Sequence, residues 1–204
     1  GEYQRPKGHL TITAPTLFGR LYVLSAVNDF MKIHSDISIE LYLTNQVVDL
    51  LEDHINLSIR IGALSDSSLI ALRVGSVRQI VCASPGYLSQ QGRPLSPSDL
   101  AEHQCISFSK FGAPKEWAFK MPSGKVQHFP IPTRLTLNSI EGVVISTRED
   151  NGLAQLYSYQ AAIDVAEGAL EIVLDSFEIE PPPVNIVYPL GRLVPQKMKA
   201  FIDF

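Results

Sequence analysis

The spacing of apolar residues changes period in a fixed order along this chain. Leu10, Ile12 and Ala14 alternate with Thr11 and Thr13, the period of a strand, and Pro15-Thr16 then opens an apolar pattern at helical spacing. Leu17, Leu21, Leu24 and Met31, flanked by Phe18, Val27 and Phe30, predict a long helix that ends near His34-Ser35. Ile37, Ile39, Leu41 and Leu43 next alternate with Ser38, Glu40, Tyr42 and Thr44, as in a strand with one covered face. A short helix through Val47, Leu50 and Leu51, then a strand over residues 57–61 closed by Gly62, complete a β-α-β-α-β order.

The pattern then breaks. Residues 69–74 and 80–83 are two apolar strands in near succession around Gly75, with no helix to join them as parallel neighbours, so the chain leaves its first lobe there. Helices are expected over residues 85–91 and 96–102, the second with Ser96 as cap and Pro97 in its first turn. Residues 105–108 read as the second lobe's first parallel strand. Trp117-Ala118-Phe119 and residues 126–129 read as an inserted hairpin around Ser123-Gly124. Leu135 and Leu137 alternate with Thr136, and Asn138-Ser139 opens a helix to about Glu149, stopped by Asn151-Gly152. A strand over residues 153–156, a helix over 158–167 and a strand over 170–174 follow. The stiff Glu180-Pro181-Pro182-Pro183 segment serves as a second crossing, after which residues 184–188 re-enter the first sheet and a helix over 195–204 covers it. The expected organisation is a linker stub over residues 1–8, a first subdomain from 9–76 plus 184–204, and a second from 77–183, with a hinge at the two crossings.

Composition narrows the class. With 204 residues, 45% of them apolar and 19% charged, the chain can bury a substantial core and is neither disordered nor fibrous. A net charge of −4 and the lack of any basic run argue against a broad nucleic-acid-binding face, which needs clustered Lys and Arg. Cys82 and Cys105 each sit in an apolar strand-like stretch and read as buried, inert thiols of a reducing, cytoplasmic setting. No apolar run is long enough to cross a membrane.

The stretches HLTITAPTLFG, VVDLLEDHINLSIRIGALSDSSLIALRVGSVRQIVCASPGYL, GRPLSPSDLAEHQCI and VYPLGRLVPQKMKAFIDF, in that order and spacing, resemble the effector-binding domain of LysR-type transcriptional regulators. The likeness runs from His9 to Phe204. It implies an α/β fold of two Rossmann-like subdomains joined by two crossover strands, like a type 2 periplasmic binding protein, with a small effector between them. It also implies that DNA is read only by a winged helix-turn-helix upstream of this segment, that the regulator forms homodimers which pair into tetramers, and that the first long helix and the Ile37 strand lie in the interface. The apolar stripe of that helix suits a buried core equally well.

Strands of open α/β sheets deliver ligand-binding residues at their carboxyl ends, where the following helix N-termini favour a small anion. Mapped onto matching positions, the resemblance implies an effector site built from Ala14, Pro15 and Thr16, Thr44 and Asn45, and Arg60, Ile61 and Gly62 in the first lobe. Ser107, Phe108, Asn138, Ser139 and Tyr157 are its counterparts in the second. Thr16 either grips a carboxylate or caps its helix; Arg60 either forks onto a carboxylate or faces solvent or a salt bridge. Asn138 and Ser139 have the same two readings, ligand contact or cap. The chain departs from the family at Leu156-Tyr157, where Leu-Pro is common, and at Thr147-Arg148-Glu149-Asp150, which replaces a small, apolar helix end.

Catalytic chemistry is not encoded in any recognisable constellation. The five histidines are scattered without metal-ligand spacing, and Glu52-Asp53-His54 reads as a polar helix end. No nucleophile elbow or phosphate loop occurs, and no cofactor or metal is expected. A solute-binding protein of a transport system shares the two-lobed clamp and is the alternative function; an enzyme on the same scaffold would need an acid/base pair that the chain lacks.

Overall fold

The computed structural model describes residues 5–64, 68–109, 112–190 and 195–204. The first four residues of the expected linker stub, and residues 65–67 and 191–194 of the family-like stretches, lie outside these. In chain order, β1 (Gly8–Ala14) runs into α1 (Thr16–Phe18), a π-helical turn (Gly19–Val23) and α2 (Leu24–Ile33), followed by β2 (Ile37–Leu43), β3 (Leu57–Ile61) and β4 (Leu69–Ser76). Then come β5 (Gln79–Ala83), α3 (Pro85–Gln91), a 3₁₀ helix (Pro97–Glu102), β6 (Cys105–Phe108), β7 (Glu116–Lys120), β8 (Val126–Pro130) and β9 (Thr133–Leu137). The trace closes with α4 (Ile140–Arg148), β10 (Leu153–Tyr157), α5 (Ser158–Ala166), β11 (Glu171–Val173), β12 (Pro183–Pro189) and α6 (Gln196–Ile202). Two compact units result: one reaches Ser76 and resumes over Pro183–Phe204, and the other is Val77–Pro182. This is the two-subdomain, periplasmic-binding-protein-like α/β fold.

The first unit is a five-stranded sheet ordered β2-β1-β3-β12-β4, with β1, β2 and β3 parallel and β12 antiparallel to both neighbours. Pro183 enters this inner strand at its first residue, where a missing N–H interrupts no ladder bond. Leu10, Ile12, Leu57 and Val187 are fully buried, as expected for strands covered on both faces. The helix after β1 lies close to the sheet because of Gly19: a Cβ there would come within 2.3 Å of Leu43 Cδ2 and 3.1 Å of the Ala14 Cβ. Its buried face is Val23, Val27 and Phe30, while Leu21, Leu24 and Met31 are exposed. The stripe expected from spacing is thus rotated, since the π turn adds a residue to one turn and shifts every later side chain around the axis. Phe30 meets the edge of Phe201 from α6 with centroids 5.2 Å apart. Between α6, the first helix and the sheet lies an apolar hollow of about 370 Å³.

The helix expected through Val47, Leu50 and Leu51 is absent. Asp49 instead accepts the N–H groups of Leu51 (2.9 Å) and Glu52 (3.0 Å) through Oδ1, and His54, at φ 53°, turns the chain toward β3. A side chain that takes local N–H groups competes with helix propagation. Of the apolar residues behind the expectation only Leu50 is buried, packing with Ile55 on Val187, while Val47 and Leu51 are exposed.

The second unit is a five-stranded sheet ordered β11-β5-β10-β6-β9, in which β6 is parallel to both neighbours and β5 antiparallel to both of its own. Alternation along β5 puts Val81 and Ala83 in one buried cluster and Ile80 and Cys82 in another. The β7–β8 hairpin lays Trp117 and Phe119 over the first cluster, and α4 and α5 cover the second with Val143 and Ala161. The segment after Ser96 is a single 3₁₀ element rather than an α-helix; Asp99 Oδ2 accepts the N–H groups of Leu95 (2.9 Å) and Ser96 (3.1 Å). The last strand of the unit is shorter than expected, because Leu174 adopts the left-handed region at φ 56° and ends it.

Candidate functional site

In the first unit, parallel register brings the carboxyl ends of β1 and β2 side by side. Ala14 pairs with Leu43, and the Thr44 N–H donates to the Ala14 carbonyl at 2.9 Å. Pro15 and Thr16 therefore lie beside Thr44 and Asn45, and Asn45 Oδ1 accepts the Thr16 N–H at 3.2 Å. Thr44 Oγ1 accepts the Gln46 N–H at 3.1 Å and holds that turn. Thr16 is exposed and occupies the first helical position, with Pro15 as the cap residue and no side-chain cap bond. The capping reading of Thr16 therefore does not hold.

Arg60 emerges from β3, one position beyond the residue level with Ala14. Its Nη2 donates to the Val48 carbonyl at 2.9 Å and its Nε to Ser58 Oγ at 3.3 Å, while the Thr13 hydroxyl donates to Ser58 Oγ at 2.8 Å. These bonds tie the guanidinium to the 44–54 loop and keep its charge at this end of the sheet. Ile61 and Gly62 finish the strand, and Gly62, at φ 99°, donates its N–H to the Pro183 carbonyl at 2.9 Å. Thr13, Ser58 and Asn185 are buried polar residues, and the Thr13–Ser58 bond is one that spacing does not reveal. Thr13 looks outward-facing in an alternating strand, yet β1 is interior and covered on both faces.

In the second unit, β6, β9 and β10 run parallel and end at one edge. Phe108 pairs with Leu137, the Ser109 N–H donates to the Leu137 carbonyl at 3.1 Å, and Ala154 pairs with Ile106. Ser107 is buried, whereas Phe108, Asn138 and Ser139 are exposed there. Ser139 is the cap of α4, its hydroxyl accepting the Gly142 N–H at 3.2 Å. Tyr157 follows Leu156, donates its N–H to Gln160 Oε1 at 2.9 Å and stacks on Tyr159 with centroids 6.2 Å apart. Burial raises the Tyr157 hydroxyl above its ordinary value, so it stays a neutral donor at this edge.

Among the described residues no three His, Cys, Asp or Glu side chains are grouped to hold a metal ion. Glu52, Asp53 and His54 lie in the exposed turn before β3. Cys82 and Cys105 are free and buried in different clusters, and burial pushes both thiols up to about 12. No helix among the described residues is long and apolar enough to cross a membrane.

Residues 3–204 match the family model described as the LysR substrate binding domain. An HTH-type transcriptional regulator of Xanthomonas campestris pv. campestris is 30% identical across 98% of the chain, which spans 59% of that protein. The HTH-type transcriptional regulator PtxR of Pseudomonas aeruginosa is 29% identical across 97% of the chain, which covers 63% of it. Among solved structures, full-length AphB, the Vibrio cholerae virulence activator, superposes with a TM-score of 0.81 at 27% identity, over 98% of this chain and 68% of that one. The regulatory domain of CrgA, a LysR-type regulator from Neisseria meningitidis, gives 0.79 at 28% identity over 98% of this chain and 97% of that one. These relatives are transcriptional regulators and not enzymes. The chain belongs to the LysR family of transcriptional regulators, of which it is the effector-binding domain.

Proposed function

We propose that this domain binds a small anionic metabolite between its two units and relays that binding to a winged helix-turn-helix elsewhere in the regulator. The observation that carries the reading is the matched pair of strand-end edges: Thr16, Thr44, Asn45 and Arg60 at one, and Ser107, Asn138, Ser139 and Tyr157 at the other. Arg60 supplies a fixed positive charge at the first edge, and the helix beginnings at Thr16 and Ile140 add partial positive charge. Ala14, Pro15, Ile61, Gly62 and Phe108 shape the walls. An effector that touches both edges favours one closure of the units, and only its differential affinity for the two closures can move a distant DNA-binding head. The helix-turn-helix relatives favour this over transport of a solute.

The assembly is a homodimer that pairs further into tetramers, working in the cytoplasm. Its support is the exposed apolar row Leu21, Leu24 and Met31, together with Tyr42 on β2, a sheet edge. Such a row exceeds what scattered surface residues need. The function is tested by a thermal-shift screen of metabolite carboxylates paired with a DNA mobility assay. One or more carboxylates should raise the melting temperature, and duplex DNA should not be retarded; tight DNA binding by this domain would overturn the division of labour.

A further inference from the structure

The two places where the chain crosses between units are tied together inside the second unit by one side-chain pair. Arg78, two residues after Ser76, donates from Nε and Nη2 to the two carboxylate oxygens of Glu178 at 2.7 and 2.8 Å. The partners are a hundred residues apart in the chain. Beside them the Val77 N–H donates to the Pro182 carbonyl at 2.9 Å. The fork is the geometry in which an Arg–carboxylate pair is directional as well as attractive. Glu178 is only 17% exposed while the Arg78 side chain is 47% exposed, so the fork anchors a largely open guanidinium to a covered carboxylate.

The same residue reaches a third point. The Arg78 carbonyl accepts the N–H of Ser158, the first residue of α5, at 2.7 Å, and the neighbouring Gln79 pairs with Tyr157. One residue therefore links the first crossing through its backbone, the second through its side chain, and the beginning of α5 through its carbonyl. We propose that Arg78 is a positioning residue whose pairing with Glu178 makes both crossings and the Tyr157–Ser158 corner move as one body. Its use in responding to an effector rests on the function proposed above; the mechanical link does not, and its test needs no effector.

Glu178 touches neither Ser158 nor Tyr157 in any described bond, and the shortest described hydrogen-bonded route from Glu178 to Ser158 runs through Arg78. Amide hydrogen exchange on the 204-residue chain reads this directly. In Glu178→Gln, exchange at Ser158 and Val77 is expected to quicken about tenfold while the central amides of β1 and β6 keep their protection. Arg78→Lys, which keeps the charge and loses the fork, should do the same. Combining Glu178→Gln with Arg78→Gln should add nothing beyond the larger single effect, because both remove one interaction. Exchange that changes only around Phe177 and Glu180, or two effects that add in full, would overturn the proposal and leave an ordinary surface ion pair.

Discussion

At the residue scale, the clearest constraint is Gly152. It sits at φ 144°, and a Cβ there would fall 2.5 Å from the backbone carbonyl oxygen of Gln104, which itself accepts the Leu153 N–H at 2.9 Å. No flexible side chain can yield, so Gly152→Ala should lower stability by about 3 kcal/mol in denaturant titration. The sequence marks this glycine only as a helix stop; its close approach to β6 is a tertiary fact. His103 is similar. Buried beside Tyr87, its Nδ1 lies 2.8 Å from the Tyr87 hydroxyl, which also accepts the Gln104 N–H at 3.1 Å. The hydroxyl can donate to an unprotonated Nδ1 or accept from a protonated one, so the pair's direction follows the imidazole's tautomer and charge.

Burial lowers the His103 pKa below its ordinary 6.5, with Asp99 and Glu102 opposing. The unfolded chain then takes up the proton first as pH falls. His103 adds no slope above neutral pH, costs stability as pH drops below the unfolded value, and adds no further cost once the folded imidazole is itself protonated, the accumulated loss then remaining. Replacing it by Gln should flatten that part of the acid limb of a melting-temperature profile; an unchanged profile would remove His103 from the account.

At the scale of elements, the strands were the most legible part. Strict alternation places β1, β2 and β3, and the hairpin of Trp117 and Phe129 follows from its turn dipeptide. Legibility failed where a local side chain or a neighbouring element overrode spacing. Asp49 replaced a helix by turns, the π turn at Gly19–Val23 redirected the stripe of the first helix, and the inner position of β1 hid a buried Thr13–Ser58 bond. The candidate ligand residues are readable as strand ends, but the fixing of Arg60 to Val48 is not, since the apolar spacing of that loop points to a helix that does not form. α3 offers a test of capping: Ser84 Oγ accepts the Tyr87 N–H at 3.1 Å and donates to Asp150 Oδ1 at 2.6 Å. Ser84→Ala should cost about 1–2 kcal/mol by chemical denaturation, the loss of a cap together with a bond to a charged group.

At the scale of the whole molecule, the proposed assembly and the proposed ligand make separate claims. Leu24→Glu places a charge in the exposed apolar row and should shift the domain to monomer in sedimentation velocity without lowering its melting temperature; an unchanged association state would move the interface elsewhere. The central claim is that one small carboxylate is held by both strand-end edges together. Thr16 and Asn138 are exposed, one from each unit, and neither side chain has a described hydrogen bond to lose. Isothermal titration of the carboxylate that most stabilises the domain, against the parent chain, Thr16→Val and Asn138→Ala, is the direct measurement. Each substitution should weaken binding by about five- to tenfold, the worth of roughly 1 kcal/mol for one hydrogen bond, with unfolding unchanged. Full affinity retained in either variant would contradict a ligand shared by the two edges.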